Sequence, residues 1–287
     1  MNALSETKFI MKKYNITANK RFGQNFLIDD DVISGIIENA EVSKEDLIIE
    51  IGPGLGTLTA ELIQNAGKVI SIELDTNMIK ILNDRFSLYN NFELINEDVL
   101  KVDLKNLINS NLENSNLKRA KVVANLPYYI TTPIIMKLLE EKLDLDSITV
   151  MVQKEVALRL TSEPGGKETG AITYSINYFA DSKIVLDVPN TSFIPAPEVN
   201  SAVIKLSILN EPRLKLENEE LFFSIIKSAF LLKRKTLVNA LANSNLFSNK
   251  TEVIEMLTNL NIDTNIRGEK LTLNDYYEIY KYILNNK

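Results

Sequence analysis

The chain has 287 residues, of which 45% are hydrophobic and 24% charged, a formal charge of −6, and neither cysteine nor histidine. These are ordinary values for a globular protein large enough to bury a substantial core. They exclude disulfides, thiolate nucleophiles, cysteine–histidine metal sites and the usual imidazole base, so any chemistry falls to carboxylates, amides, hydroxyls, lysines, the backbone and a cofactor.

Residues 1–20 are mixed and polar, with no signal-peptide apolar run, and read as an N-terminal extension. From Leu47 the pattern alternates between two periodicities. Leu47–Ile51, Val69–Leu74, Phe92–Ile95, Val122–Asn125 and Ile148–Val152 are short continuous apolar runs rich in Ile and Val, which predict buried strands. Between them, Thr57–Asn65, Asn77–Phe86, Leu104–Asn109 and Thr132–Leu139 carry helical periodicity, and Gly67 stands where a helix-ending glycine belongs. Strand–helix alternation of this kind predicts right-handed crossovers and a parallel sheet with helices on both faces. Lys183–Val188 and Ala202–Leu209 read as two further strands joined by a proline-rich loop, able to add an antiparallel strand. Glu211-Pro212 ends the pattern, and Leu221–Phe230, Thr236–Leu241, Glu252–Leu257 and Asp275–Ile283 are helical. The expected division is residues 1–210 and 211–287. No apolar stretch reaches membrane-spanning length, so a cytoplasmic protein is expected, with no membrane partner.

Three strand ends carry groups suited to a nucleotide-type cofactor. Gly52-Pro53-Gly54-Leu55-Gly56 runs from a buried strand into a helix, where glycine lets the backbone turn sharply and approach a ligand. The spacing is G-x-G-x-G rather than the dinucleotide-binding G-x-G-x-x-G. Glu73 ends the next strand about twenty residues on, where an acid accepts from ribose hydroxyls. Asp98 follows the third strand and can accept from an adenine amine. Each acid alone is more simply a cap or loop residue. In register at the carboxyl ends of strands, where α/β folds bind ligands, the set reads as a site.

Asn125-Leu126-Pro127-Tyr128 ends the fourth strand. The exocyclic amine of a nucleobase is a poor nucleophile because its lone pair is delocalised into the ring. Hydrogen bonds from its N–H groups to the Asn125 side chain and the Leu126 carbonyl would pull the nitrogen toward pyramidal geometry. Pro127 fixes the turn and holds Leu126 extended, and Tyr128 offers a stacking face. Phe193, in a loop stiffened by Pro195 and Pro197, could stack the other face of a flipped base; a hydrophobic plug under the loop is the alternative. With the glycine turn, this segment points to methyl transfer from S-adenosyl-L-methionine to a nucleobase amine, chemistry that runs on positioning and needs no histidine base.

These residues resemble the ribosomal RNA adenine N6,N6-dimethyltransferases, and most closely the bacterial small-subunit (16S) enzymes. The resemblance covers nearly the whole chain. It rests on Gly23-Gln24-Asn25-Phe26-Leu27, Gly52–Gly56, Glu73, Asp98, Asn125-Leu126-Pro127-Tyr128-Tyr129, Gln153–Ala157, Phe193–Ser201, Phe230–Leu237 and Arg267–Leu271. It implies a Rossmann-like methyltransferase sheet of seven strands, the last antiparallel, with a small all-α C-terminal domain. It also implies cofactor contacts at Asn25, Leu27, Gly52, Glu73, Asp98 and Asn125. The implied reaction places two methyls on each of two adjacent adenines in a hairpin loop near the 3′ end of 16S RNA, within the immature small subunit, by a protein expected to be monomeric and metal-free. Gly268 stands where the family commonly has Ala.

RNA-binding candidates are the cluster Lys233-Arg234-Lys235, with Lys154 and Arg159. Each basic pair alone is more often a solvated face. Two alternatives stay open: a large-subunit dimethyltransferase of the antibiotic-resistance type, and an assembly checkpoint factor whose binding matters more than its catalysis.

Overall fold

A computed structural model describes residues 2–18, 23–232 and 235–286. The strands are β1 (Phe26–Leu27), β2 (Asp46–Ile51), β3 (Lys68–Glu73), β4 (Phe92–Asn96), β5 (Arg119–Asn125), β6 (Ser147–Gln153), β7 (Ala180–Val188), β8 (Phe193–Ile194) and β9 (Ser201–Ile208). The helices are α1 (Ala3–Lys13), α2 (Asp30–Asn39), α3 (Thr57–Asn65), α4 (Thr76–Phe86), α5 (Leu104–Glu113), α6 (Thr131–Glu140), α7 (Lys154–Leu160), α8 (Ala171–Phe179), α9 (Glu219–Leu231), α10 (Leu237–Ala242), α11 (Lys250–Asn259) and α12 (Leu273–Asn286). The chain divides into two compact units, residues 1–157 with 182–208, and residues 158–181 with 209–287.

The first unit holds a seven-stranded sheet in the order β4-β3-β2-β5-β6-β9-β7. The pairs from β4 across to β6 are parallel, and β9 runs antiparallel to β6. Strand β9, last in the chain, is thus the reversed strand implied by the sequence. The progression runs outward from β2 through β3 to β4, then jumps back to the other side of β2 for β5. The switch point therefore lies between β2 and β5. Their register sets what meets there: Ile49 pairs with Val122, so Gly52 and Asn125, each three residues further on, come level at the carboxyl edge.

Every residue of β2 is buried, which puts two acids inside the protein. Asp46, at the amino end, accepts from Lys121 Nζ at 3.0 Å, Arg119 Nε at 3.0 Å and the Ser43 N–H at 2.8 Å. Lys121, 1% exposed, also donates to the carbonyls of Ala40 and Glu41. All three ammonium hydrogens thus have acceptors. Burial raises the Asp46 pKa, but Lys121 and Ser43 outweigh it and the carboxyl ends below its usual range. The stability it contributes is present above the ordinary carboxyl pKa and is lost as pH falls through the depressed one.

Helices α1, α2, α7 and α8 and the short strands β1 and β8 were not expected from the sequence. Helix α1 forms from the polar N-terminal segment, N-capped by the Asn2 side chain and burying Ala3, Thr7 and Ile10. Helix α8 lies in the stretch expected to belong to residues 1–210, yet it groups with the second unit. Seven of its nine residues are buried, polar Thr173 and Ser175 among them, so no solvated face betrays it as a helix. In the second unit Tyr174 donates to the Leu271 carbonyl at 2.6 Å and Tyr276 to the Gly268 carbonyl at 3.0 Å. A Cβ at Gly268 would lie 2.8 Å from the Tyr276 hydroxyl and 2.9 Å from the Ala229 Cβ. Glycine there is a packing requirement of this chain.

Asp46→Ala should cost about 3–5 kcal/mol by leaving Lys121 buried and unpaired. Adding Lys121→Met should recover most of that in urea denaturation. A single variant as stable as wild type would show that the pair does not hold the amino ends of the central strands.

Candidate active site

A cleft of about 1050 Å³, including its open mouth, sits at the carboxyl edge of the first unit's sheet. One wall is the glycine turn after β2. Gly52, Gly54 and Gly56 have φ of +68°, +58° and +82°, left-handed values that glycine adopts without strain. A Cβ at Gly56 would come within 2.5 Å of the Phe86 ring. The turn is pinned by its own backbone: Gly52 N–H donates to the Ile72 carbonyl at 3.0 Å and Gly56 N–H to the Pro53 carbonyl at 2.9 Å.

Glu73 ends β3 facing this turn. Its Oε1 accepts from the Asp75 N–H at 2.8 Å and its Oε2 from the Gly54 N–H at 3.3 Å. Burial raises its pKa, the N–H bonds only partly opposing it. Each oxygen keeps a lone pair for a ligand hydroxyl. Asp98 lies on the same cleft, half-buried, with Oδ1 accepting from the Leu100 N–H at 3.0 Å. Asn25 and Leu27 line the near side. The Asn25 amide donates to the Gly23 carbonyl at 3.1 Å, and Leu27 pairs with Phe193 between β1 and β8. The cofactor residues expected from the sequence, Asn25, Leu27, Gly52, Gly54, Glu73, Asp98 and Asn125, all line this cleft. Gly56 closes the turn behind it, against Phe86 and Leu82. A cradle free of Cβ atoms and a buried carboxylate with spare lone pairs fit an adenosine-type ligand.

The opposite wall is the turn after β5. A Cβ built on Gly52 would stand 3.4 Å from Pro127 Cδ, so the two walls face each other across about the width of one such group. Leu126 is buried and its N–H donates to the Met151 carbonyl at 3.2 Å. Among the described residues, neither the Asn125 side-chain amide nor the Leu126 carbonyl is engaged by a hydrogen-bond partner. Both are left to a ligand. The Tyr128 hydroxyl is 2.6 Å from Ser201 Oγ, which holds the ring in place, and burial raises its pKa.

Phe193 is not on the cleft. It is 2% exposed and belongs to the hydrophobic cluster that includes Leu27, Val188 and Val203. Pairing of β8 with β1 fixes its direction, and an apolar ring so placed buries itself. It anchors the loop and offers no free face to a base, which corrects the expectation that it stacks one. Of the RNA-binding candidates, Lys154 pairs with Asp187 in the first unit. Arg159 and Lys235 are exposed in the second unit, and Lys233 and Arg234 lie outside the described residues.

Sequence reasoning missed three site residues. Ser201 was visible only as the end of a loop motif, and Tyr129 only as a motif letter. Tyr129 is 58% exposed and lines the cleft beside Gly23. Glu50, the second buried acid of β2, lies beneath the glycine turn, its Oε2 accepting from Thr59 at 2.8 Å and Ser71 at 2.6 Å. Burial pushes its carboxyl up to about 7, against those two bonds. The signal was present: an acid inside a continuous apolar run demands hydroxyl or cationic partners. Among the described residues no three acidic side chains are placed to hold a metal ion, and no helix is long and apolar enough to cross a membrane.

Known structures and sequences place this arrangement. A dimethyladenosine transferase from Plasmodium falciparum superposes with a TM-score of 0.72 at 26% identity, covering 90% of this chain and 97% of that one. The 23S rRNA methyltransferase ErmE gives 0.65 at 24%, covering 90% and 99%, a likeness of fold. The fold is that of the α/β methyltransferases that modify RNA. Within that class, the model of the ribosomal RNA adenine dimethylase family matches residues 15–285, and the chain belongs to that family. It is 47% identical over 279 residues to "Ribosomal RNA small subunit methyltransferase A" of Alkaliphilus metalliredigens, covering 97% of this chain and 96% of the relative. The protein of the same name in Clostridium botulinum strain Langeland is 48% identical over 270 residues, covering 94% and 95%.

The folded-state pKa of Glu50 exceeds its unfolded value. Its contribution to stability is therefore full below about pH 4.5 and falls by roughly 3 kcal/mol as pH rises to about 7. No histidine titrates in that window, and Glu73 adds in the same direction. The urea midpoint of the wild type should decline from pH 5 to 8, and Glu50→Gln should remove most of that decline. Equal slopes in the two proteins would contradict the assignment.

Proposed function

We propose that this chain uses S-adenosyl-L-methionine to dimethylate the N6 amines of two adjacent adenines in a hairpin loop near the 3′ end of 16S RNA. It would act as a cytoplasmic monomer on the immature small subunit. The observation that carries this is that the two turns line one cleft. The glycine cradle with Glu73 and Asp98 lies against a turn whose amide and carbonyl, at Asn125 and Leu126, are left for a donor. Membership of the rRNA adenine dimethylase family and the small-subunit name of relatives at 47–48% identity support the RNA class.

When bound, the cofactor supplies an electrophilic methyl on a sulfonium. The chain's residues do the rest. Gly52 and Gly54 admit the ligand close to the backbone, Glu73 accepts from its ribose hydroxyls, Asp98 from its adenine amine, and Asn25 and Leu27 close the near side. Asn125 Oδ1 and the Leu126 carbonyl accept from the two N–H groups of the target amine, localising its lone pair toward the methyl. Pro127 fixes that geometry. Tyr128, held by Ser201, stacks on the base, a contact of about 1–3 kcal/mol. No group has to take a proton before attack, so a histidine-free site suffices. The methyltransferase domain spans residues 1–210 apart from the stretch that packs with the helical unit, and the helical C-terminal domain is built from residues 211–287. Lys154, Arg159 and the Lys233-Arg234-Lys235 cluster are the candidate phosphate contacts of an otherwise acidic protein.

Mass spectrometry of RNA from immature small subunits, after incubation with protein and labelled cofactor, should find adjacent N6,N6-dimethyladenosines. Modification of large-subunit RNA, or of none, would overturn the proposal. Asn125→Ala should reduce transfer by at least about a hundredfold with cofactor affinity in calorimetry nearly unchanged; normal turnover would refute the role of Asn125 as acceptor.

A further inference from the structure

Five residues of backbone carry the cradle, and three of them hold left-handed φ values. Such a turn keeps its shape only if its polar groups are tied down. Within the turn, the Gly52 and Gly56 N–H groups bond to backbone carbonyls and the Gly54 N–H to Glu73. The Leu55 carbonyl takes its bond from elsewhere: Arg85 Nη1, reaching from the last turn of α4. Arg85 is thereby the side chain that holds the turn from behind, as Glu73 holds it from the cleft side. Its guanidinium lies over the Phe86 ring at 4.6 Å. The same Phe86 ring leaves no room for a Cβ at Gly56, where Arg85 Nη1 would itself be 3.1 Å away. The packing of α4 on the turn is therefore direct.

Arg85 has a second partner. Its Nη2 pairs with Glu6, on the N-terminal helix α1. That helix is fastened to α4 again where the Tyr14 hydroxyl donates to Asp84 at 2.6 Å, and to α2 where the Ala3 N–H donates to Asp30 at 2.9 Å. The side chain of Glu6 is 35% exposed and that of Arg85 12%. The pair is sheltered enough to orient the guanidinium without the full cost of burying two charges.

We propose that Arg85 is a positioning residue for the cofactor turn, and that helix α1 is part of the cofactor-binding apparatus because Glu6 orients Arg85. The proposal rests on the reading that the cofactor lies over Gly52–Gly56. It gives residues 3–13 a task that their sequence does not announce.

Calorimetric titration of the full-length protein with S-adenosylhomocysteine tests it. Arg85→Met keeps the apolar stem over Phe86 and removes the guanidinium; it should weaken binding about tenfold. Glu6→Gln, on a partly exposed helix face, should weaken it about threefold. The double variant should bind like Arg85→Met alone, because Glu6 acts through Arg85. In steady state, KM for the cofactor should rise while KM for RNA and kcat at saturating cofactor stay within twofold, a split that general loosening of the fold would not produce. Binding within twofold of wild type in both single variants, or losses that multiply in the double variant, would overturn the proposal. A wild-type protein that binds no S-adenosylhomocysteine would instead overturn the reading of the cleft itself.

Discussion

The close approach of the Gly52 turn to the Pro127 turn is the constraint on which the rest of the site depends. It exists because β2 and β5 are adjacent and parallel at the point where the strand order reverses, with a register that brings Gly52 and Asn125 level. Glycine at 52 is favoured by its φ of +68°, while a Cβ there would only reach ordinary van der Waals distance of the proline ring, 3.4 Å. One turn is a cradle lined with acids, the other a proline-fixed pair of acceptors. Their separation is set by strand spacing, a few ångströms. A methyl donor and a methyl acceptor held on two adjacent strand ends need no moving part to bring them together.

The central strand treats its two buried acids in opposite ways, and the difference follows from their neighbours. Asp46 at the amino end meets a lysine whose other hydrogens are satisfied by carbonyls, and it stays ionised. Glu50 at the carboxyl end meets two hydroxyls and no cation at bonding distance among the described residues, and it holds its proton to about pH 7. The first is a fastening for the edge of the sheet remote from the cleft. The second is a hydrogen-bonded floor for the glycine turn. It lets β2 end in a sharp left-handed turn while α3 and β3 pack beside it.

Much of the core architecture was legible in the sequence because continuous Ile/Val runs have few other fates, and the helix predicted at Thr57–Asn65 forms with those bounds. The cleft was legible because glycine, acid and amide fall at consecutive strand ends. What stayed hidden had physical causes. Helix α8 is buried around most of its circumference and mixes Thr173, Ser175 and Asn177 among its apolar residues, so periodicity could not mark it or assign it to the second unit. Phe193 sits between two prolines in a loop, where an aromatic reads equally as a stacking face or a plug; the β1–β8 pairing that buries it spans 167 residues of chain, Leu27 to Phe193 counted inclusively. Arg85 reaches Leu55 and Glu6 across sequence distances of 30 and 79 residues, and no local pattern announces such a bond.

A crystal structure with S-adenosylhomocysteine would test the central claim most directly. The account predicts the ribose against Glu73, the adenine against Asp98, and the thioether sulfur facing the Asn125 amide between the Gly52 and Pro127 turns. A ligand seated elsewhere, or one whose sulfur points away from Asn125, would contradict it.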